Sequence, residues 1–174
     1  MRACLANDRR AQRLLYERFR VPLYRLCLRY ARDRQEADDF LQEGFIRIFT
    51  DLSQYRGQGA LGGWLRRVVL NICLQHLRKK KWEVGLDEAP ELYEEAEDLF
   101  AEAPPDPRLI IQYLQQLPSG YRTVFNLYVI EGYTHQQIAQ KLQISVGASK
   151  SQLSKAKAQL RRLAAPLFNT AKTN

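Results

Sequence analysis

Apolar residues recur every three to four positions along this 174-residue chain, and no alternating apolar–polar run of strand length interrupts them. The pattern predicts an all-α protein. Over residues 8–31 a stripe with a period of 3.6 runs through Leu14, Leu15, Phe19, Leu23, Leu26, Cys27 and Tyr30. Pro22 lies inside it, and its ring is expected to kink or split the helix. The stripe over 36–52 is the most regular: Ala37, Phe40, Leu41, Phe45, Ile48, Phe49 and Leu52 follow i, i+3, i+4 spacing. Ser53 to Gly63 contain four glycines and read as a loop, after which Trp64 opens a helix reaching about Lys81. A second block starts at Pro107, a favoured first helical residue. Its helices are expected over about 107–116, 119–131 with Val124, Phe125, Tyr128 and Val129 inward, 134–142 and 146–163; Gly132 ends the second of them.

Charge divides the chain where the helical pattern does. Residues 1–81 hold 18 Lys and Arg against 8 Asp and Glu, a balance of +10. Residues 82–107 hold ten acids and no base, whereas residues 108–174 hold nine bases and a single acid, Glu131. The organisation expected is two small helical domains, 1–81 and 107–174, joined by an acidic flexible linker, 82–106. Four prolines interrupt residues 82–107 and acids dominate them, so this stretch cannot bury enough apolar surface to fold alone. Leu92 to Phe100 could add a short helix. A merely solubilising strip would look the same, but its charge would also repel DNA and suit a positively charged channel on a partner. Cationic charge clustered by domain is the footprint of polyanion binding, although generic solubility also produces it.

The second block carries the sharper chemistry. Thr134 and Ser145 are placed as helix N-caps, with Ile138, Ala139 and Leu142 between them as an apolar seam and Gln143-Ile144 as a short turn. In the helix that follows, Leu153, Ala156 and Leu160 face inward, with Val146 and Ser149 near the seam. Lys150, Ser151, Ser154, Lys155 and Lys157 are left on an outer face without acids. A DNA major groove asks for such a face, with lysines for guanine edges or phosphates and serines for either. A solvated amphipathic helix is the plain alternative; the short turn, the small seam residue and the absence of acids favour a helix-turn-helix recognition helix.

In the first block, Asp39, Gln42, Glu43 and Ile46 share the polar face of the 36–52 helix. An isoleucine ringed by polar groups marks either a protein-docking face or a stray exposed side chain. Along the helix opened by Trp64, the residues Arg67, Asn71, Gln75 and Arg78 recur on one face, Lys79 to Lys81 continue it, and Leu65, Val68, Val69, Ile72 and His76 point elsewhere. Tyr55, Arg56 and Trp64 flank the glycine loop. Bases interleaved with aromatics suit single-stranded nucleic acid, charge for the phosphates and rings for unstacked bases, unless Tyr55 and Trp64 are core aromatics.

Three scattered cysteines and two histidines form no metal-site or disulfide pattern and fit a reducing cytosol. The first ten residues lack an apolar segment of signal-peptide length, which argues against export, and no run is long enough to span a membrane. Asp38, Asp39 and Glu43 lack a partner histidine and a second acidic cluster, so a metal-dependent nuclease is disfavoured. No catalytic residue, metal or cofactor is expected. A stand-alone helix-turn-helix regulator would need a dimerisation surface or an effector pocket, which nothing in 1–81 offers.

The ordered fragments Asp39-Phe40-Leu41-Gln42-Glu43-Gly44-Phe45, Phe49 to Gly57, Trp64 to Asn71, Leu117 to Phe125, Glu131 to Thr134, Gln137-Ile138-Ala139, Ile144 to Gly147 and Lys150 to Leu153 resemble the extracytoplasmic-function (ECF) group of bacterial RNA polymerase sigma factors. The resemblance covers about 5–81 and 107–163. It implies two helical domains, sigma domains two and four, on a flexible linker, serving transcription initiation through core polymerase. Asp39, Gln42, Glu43 and Ile46 would meet the clamp helices of the β′ subunit, and the region 119–131 the β flap. The loop from Tyr55 and the helix with Arg67 and Asn71 would open the promoter −10 element and capture a flipped base, with Tyr55 and Asn71 at its pocket. Lys150, Ser151, Ser154 and Lys155 would read the −35 duplex, the linker would thread the polymerase RNA path, and an anti-sigma factor is an expected partner. Gln143 stands where the family commonly has glycine; a positive φ there would cost ~1 kcal/mol.

Overall fold

The computed structural model describes residues 2–79 and 107–171, and every regular element among them is helical. The expected acidic linker, the short helix expected within it, and Lys80 and Lys81 lie outside the described residues. The chain divides into two compact units, Met1–Lys79 and Lys80–Asn174.

The first unit contains α1 (Arg2–Leu5), α2 (Arg9–Tyr30), α3 (Arg34–Asp51), a 3₁₀ turn (Leu52–Gln54) and α4 (Leu61–Lys79). Asp8 caps α2, its Oδ1 accepting from the Arg10 and Ala11 amides at 2.8 and 3.1 Å. The helix runs through Pro22 in one piece, so the proline does not split it. The carbonyl that loses a partner belongs to exposed Arg18, where water can take the place of the missing amide. Two residues start α3 together: Asp33 accepts from the Glu36 amide at 2.8 Å, and buried Glu36 reaches back to the Arg32 amide at 2.7 Å. The three long helices pack on one another around Leu26, Tyr30, Phe40, Ile48, Leu65 and Val69. At the α3–α4 contact, a Cβ on Gly44 would lie 2.9 Å from a Val69 methyl, so a glycine lets these backbones meet. The predicted stripe of α2 overreaches: Leu14 is 61% exposed.

Helix α4 begins at Leu61, three residues before the expected start, its first turn closed on the Ala60 carbonyl. Gly62 therefore belongs to the helix, where a Cβ would sit 3.3 Å from the Phe19 ring. The loop proper spans 55–60, and Gly57 and Gly59 supply its left-handed backbone at φ +76° and +82°.

The second unit contains α5 (Pro107–Gln115), α6 (Ser119–Phe125), a π turn (Asn126–Ile130), α7 (His135–Leu142) and α8 (Val146–Ala171), with α5, α6 and α7 all packed on α8. The π turn overturns one expectation. Val124 and Phe125 are buried as predicted, but Tyr128 and Val129 are exposed, and Asn126 and Leu127 are buried instead. The Asn126 side-chain amide donates to the Arg122 carbonyl at 2.8 Å, competing with the backbone ladder, and the Glu131 amide bonds back to Asn126 at 2.9 Å. The widened turn shifts the inward face. The last helix continues to Ala171, beyond the expected end near 163.

Candidate nucleic-acid interface

Helix α7 is set by a full capping box: Thr134 Oγ1 accepts from the Gln137 amide, and the Gln137 side chain accepts from the Thr134 amide at 2.9 Å. It ends at Gln143, whose φ of +57° confirms the left-handed turn that a glycine would adopt without strain. Ser145 then caps α8, its hydroxyl accepting from the Ala148 amide at 2.9 Å. Ile138, Ala139 and Leu142 are buried against Leu153, Ala156 and Leu160, as the spacing required. Lys150 is exposed, and Ser151, Ser154, Lys155 and Lys157 are half-buried along the same helix. Exposed Arg161 and Arg162 extend its cationic character; no groove-facing role was read for them from sequence.

Ser149 is fully buried and hydrogen-bonded to His135 Nδ1 at 2.9 Å, and the His135 ring stacks on Tyr128 with centroids 4.5 Å apart. Burial first, then Lys150 and Lys157, hold the imidazole below its ordinary pKa. In the sequence His135 carries no signal of its own, because a histidine directly after an N-cap has no evident partner until the fold brings Ser149 to it.

In the first unit, Asp39, Gln42, Glu43 and Ile46 are all exposed on α3, Ile46 by 61%. On α4, Arg67, Asn71, Gln75 and Arg78 are all exposed. A recess of about 300 Å³ opens between the two helices, lined by Glu43, Arg47, Asp51, Val68, Asn71, Ile72 and Gln75. It brings two of the α4 amides next to an acid of the α3 face. Arg47 and Asp51, paired with each other, also line it; their i, i+4 spacing was legible, but their place beside Asn71 was not. Tyr55 and Trp64 are half-buried with ring centroids 5.8 Å apart, and the Tyr55 hydroxyl donates to the Gly59 carbonyl at 2.6 Å, bracing the loop. Arg56 is exposed beside them.

The acids of α3 are not without a histidine, as the sequence implied: His76 Nε2 pairs with Glu43, its ring 5.1 Å from that of Phe40. Asp38 lies instead beside Tyr24, whose phenol burial and this carboxylate push up. Among the described residues no three His, Cys, Asp or Glu side chains gather where they could hold a metal ion. Cys4, Cys27 and Cys73 are buried free thiols, and burial, with Cys27 adjacent, pushes the Cys73 thiol well up. Among the described residues no helix is long and apolar enough to cross a membrane.

Family models described as Sigma-70 region 2 and Sigma-70, region 4 match residues 15–83 and 108–160. The chain is 30% identical over 178 residues to the RNA polymerase sigma-H factor of Pseudomonas aeruginosa, covering 95% of this chain and 92% of that protein. It is 30% identical over 166 residues to the ECF RNA polymerase sigma factor SigM of Mycobacterium tuberculosis, covering 92% and 81%. The fold is shared with a sigma factor RpoE from Bartonella quintana, solved in complex with the anti-sigma factor NepR, at a TM-score of 0.53 and 18% identity over 88% of this chain and 96% of that one. Matched in both units and along nearly its whole length, the chain belongs to the ECF group of RNA polymerase sigma factors, which act in transcription initiation.

Proposed function

We propose that the two units divide promoter recognition between a concave and a convex surface, and that core RNA polymerase supplies all the chemistry. The observation that carries this reading is the recess between α3 and α4, which sets Asn71 and Gln75 side by side on its wall. Amide side chains both donate and accept, as the edges of an unstacked base require. Tyr55 and Arg56 on the 55–60 loop, with Trp64, Arg67 and Arg78 along α4, add ring faces and phosphate contacts for the melted −10 strand. Unstacking a base costs a few kcal/mol, offset by stacking and hydrogen bonds in such a site.

The α8 face reads the −35 duplex: Lys150, Ser151, Ser154, Lys155 and Lys157 meet base edges and phosphates. Lysine is a point cation and reads guanine less bidentately than arginine. Asp39, Gln42, Glu43 and Ile46 form the surface for the β′ clamp helices, and the region 119–131 that for the β flap. An anti-sigma factor is a fitting partner, as the Bartonella quintana sigma factor was solved with one. The protein itself is not an enzyme, and its site of action is cytoplasmic. The acidic strip between the units suits the polymerase RNA path. A stand-alone helix-turn-helix regulator leaves the Sigma-70 region 2 match unaccounted for.

Run-off transcription with core polymerase across a promoter library tests the assignment. Asn71→Ala is expected to depress open-complex formation at all selected promoters, whereas Lys155→Ala weakens those that depend on the upstream element. If both variants melt and transcribe every promoter as well as the parent, the site assignments fail.

A further inference from the structure

Ser149 is a buried hydroxyl in the seam between two helices that otherwise meet through apolar groups. Its partner, His135, is the first residue of α7, and the bond joins α7 to the fourth residue of α8. The outward-turned Tyr128 of the π turn covers the ring. One cluster thus ties together three elements around the helix that reads duplex DNA.

We propose that His135 and Ser149 form a positioning pair that holds α8 in register against α7, and that the pair makes duplex binding tighten in mild acid. The proposal rests on the reading of α8 as the −35 recognition helix. A hydroxyl both gives and takes a hydrogen bond. Ser149 therefore donates to Nδ1 when that nitrogen is bare and accepts from it when it carries a proton, so the bond survives in either state of the ring. An alanine or valine at 149 could do neither.

The charged and titratable groups around the ring set the sign. From α8 come Lys150 and Lys157, both cationic and both disfavouring a proton on His135. From the π turn comes the Tyr128 ring. On α7 itself, Lys141 lies over the Tyr133 ring at 4.8 Å, and Glu131 is the only acidic side chain in residues 108–174. In the free protein burial and these two lysines hold the imidazole below its ordinary pKa. When phosphates engage Lys150 and Lys157, their repulsion of a proton on His135 is offset, and the ring regains affinity for it. By linkage, a proton taken up on binding tightens binding as pH falls below the ordinary histidine range. The gain expected at the acid end of the range is roughly threefold in affinity.

The test uses holoenzyme assembled from core polymerase and the full chain, and a promoter duplex selected from a library randomised at the upstream element. Affinity for this duplex and for one with the element scrambled is measured from pH 7.5 to 5.5. Asparagine places an amide where Nδ1 stands but does not titrate. His135→Asn should therefore keep sequence discrimination and lose about threefold of the gain seen with the parent at low pH; titrations of the polymerase cancel in the comparison. His135→Leu and Ser149→Ala should lose discrimination severalfold, with circular dichroism confirming that they remain folded. An equal pH response in parent and His135→Asn, or full discrimination by folded Ser149→Ala, overturns the proposal. If the parent prefers no upstream sequence at all, the reading of α8 fails, and this inference falls with it.

Discussion

The two surfaces proposed to read the promoter are built on opposite plans. In the first unit, the proposed −10 surface is a recess between two helices, and its walls mix an acid, an ion pair and two amides: Glu43, Arg47 with Asp51, Asn71 and Gln75. In the second, it lies on one side of α8, free of acids, and everything that fixes it sits behind it at the seam with α7. A concavity that suits one extruded base depends on how closely α3 and α4 approach. A convex cationic helix that suits a groove depends on its angle and register. Packing errors should therefore damage the first surface most, and errors in caps and turns the second.

The largest effect that would sharpen this contrast is at Gly44. Leucine there must displace Val69, a stiff and fully buried side chain 2.9 Å from the new Cβ. Overpacking should destabilise the first unit by about 2 kcal/mol even after the gain in helix propensity. Denaturant unfolding of the full chain should show a lower midpoint for the transition of that unit alone. Two coincident shifts would break the idea that the units fail separately.

Next comes the cap of α7. Thr134→Ala removes the acceptor for the Gln137 amide, and the second unit should lose about 1 kcal/mol. Discrimination among upstream sequences should fall while opening of a promoter that lacks the upstream element stays at the parental level; loss of both in equal measure would contradict the separation of roles. The smallest effect has the opposite sign. Gln143→Gly relieves a left-handed non-glycine residue but adds freedom to the unfolded chain, so a net stabilisation of up to about 1 kcal/mol is expected. Thermal melting resolves it, and a lowered midpoint would mean that the Gln143 side chain contributes something its backbone angles do not reveal.

What was legible in the chain follows the same divide. The stripe over 36–52 is nearly pure, and all its members but half-buried Phe49 are buried. Thr134 and Ser145 cap as their spacing required, because a cap is a local bond between near neighbours. Partnerships between distant residues were not legible: His76 with Glu43, His135 with Ser149, and Arg47 and Asp51 brought beside Asn71. Periodicity also could not foresee that a buried asparagine would widen the turn at 126–130, and so Tyr128 and Val129 were assigned to the wrong face. Gly62 reads as loop because composition cannot distinguish a residue that is small for flexibility from one that is small to let Phe19 approach.

That widened turn has a practical consequence for chimeras. An α-helix advances about 100° per residue, so deleting one residue between 126 and 130 to restore a regular ladder would swing everything before it by that angle relative to everything after it. Tyr128 would leave the His135 ring, and Asn126 would lose its place in the interior. A hybrid that joins this region to a relative's helix has to take the stretch from Arg122 to Tyr133 whole, because matching residues by count alone would deliver a properly folded helix with the wrong side turned inward.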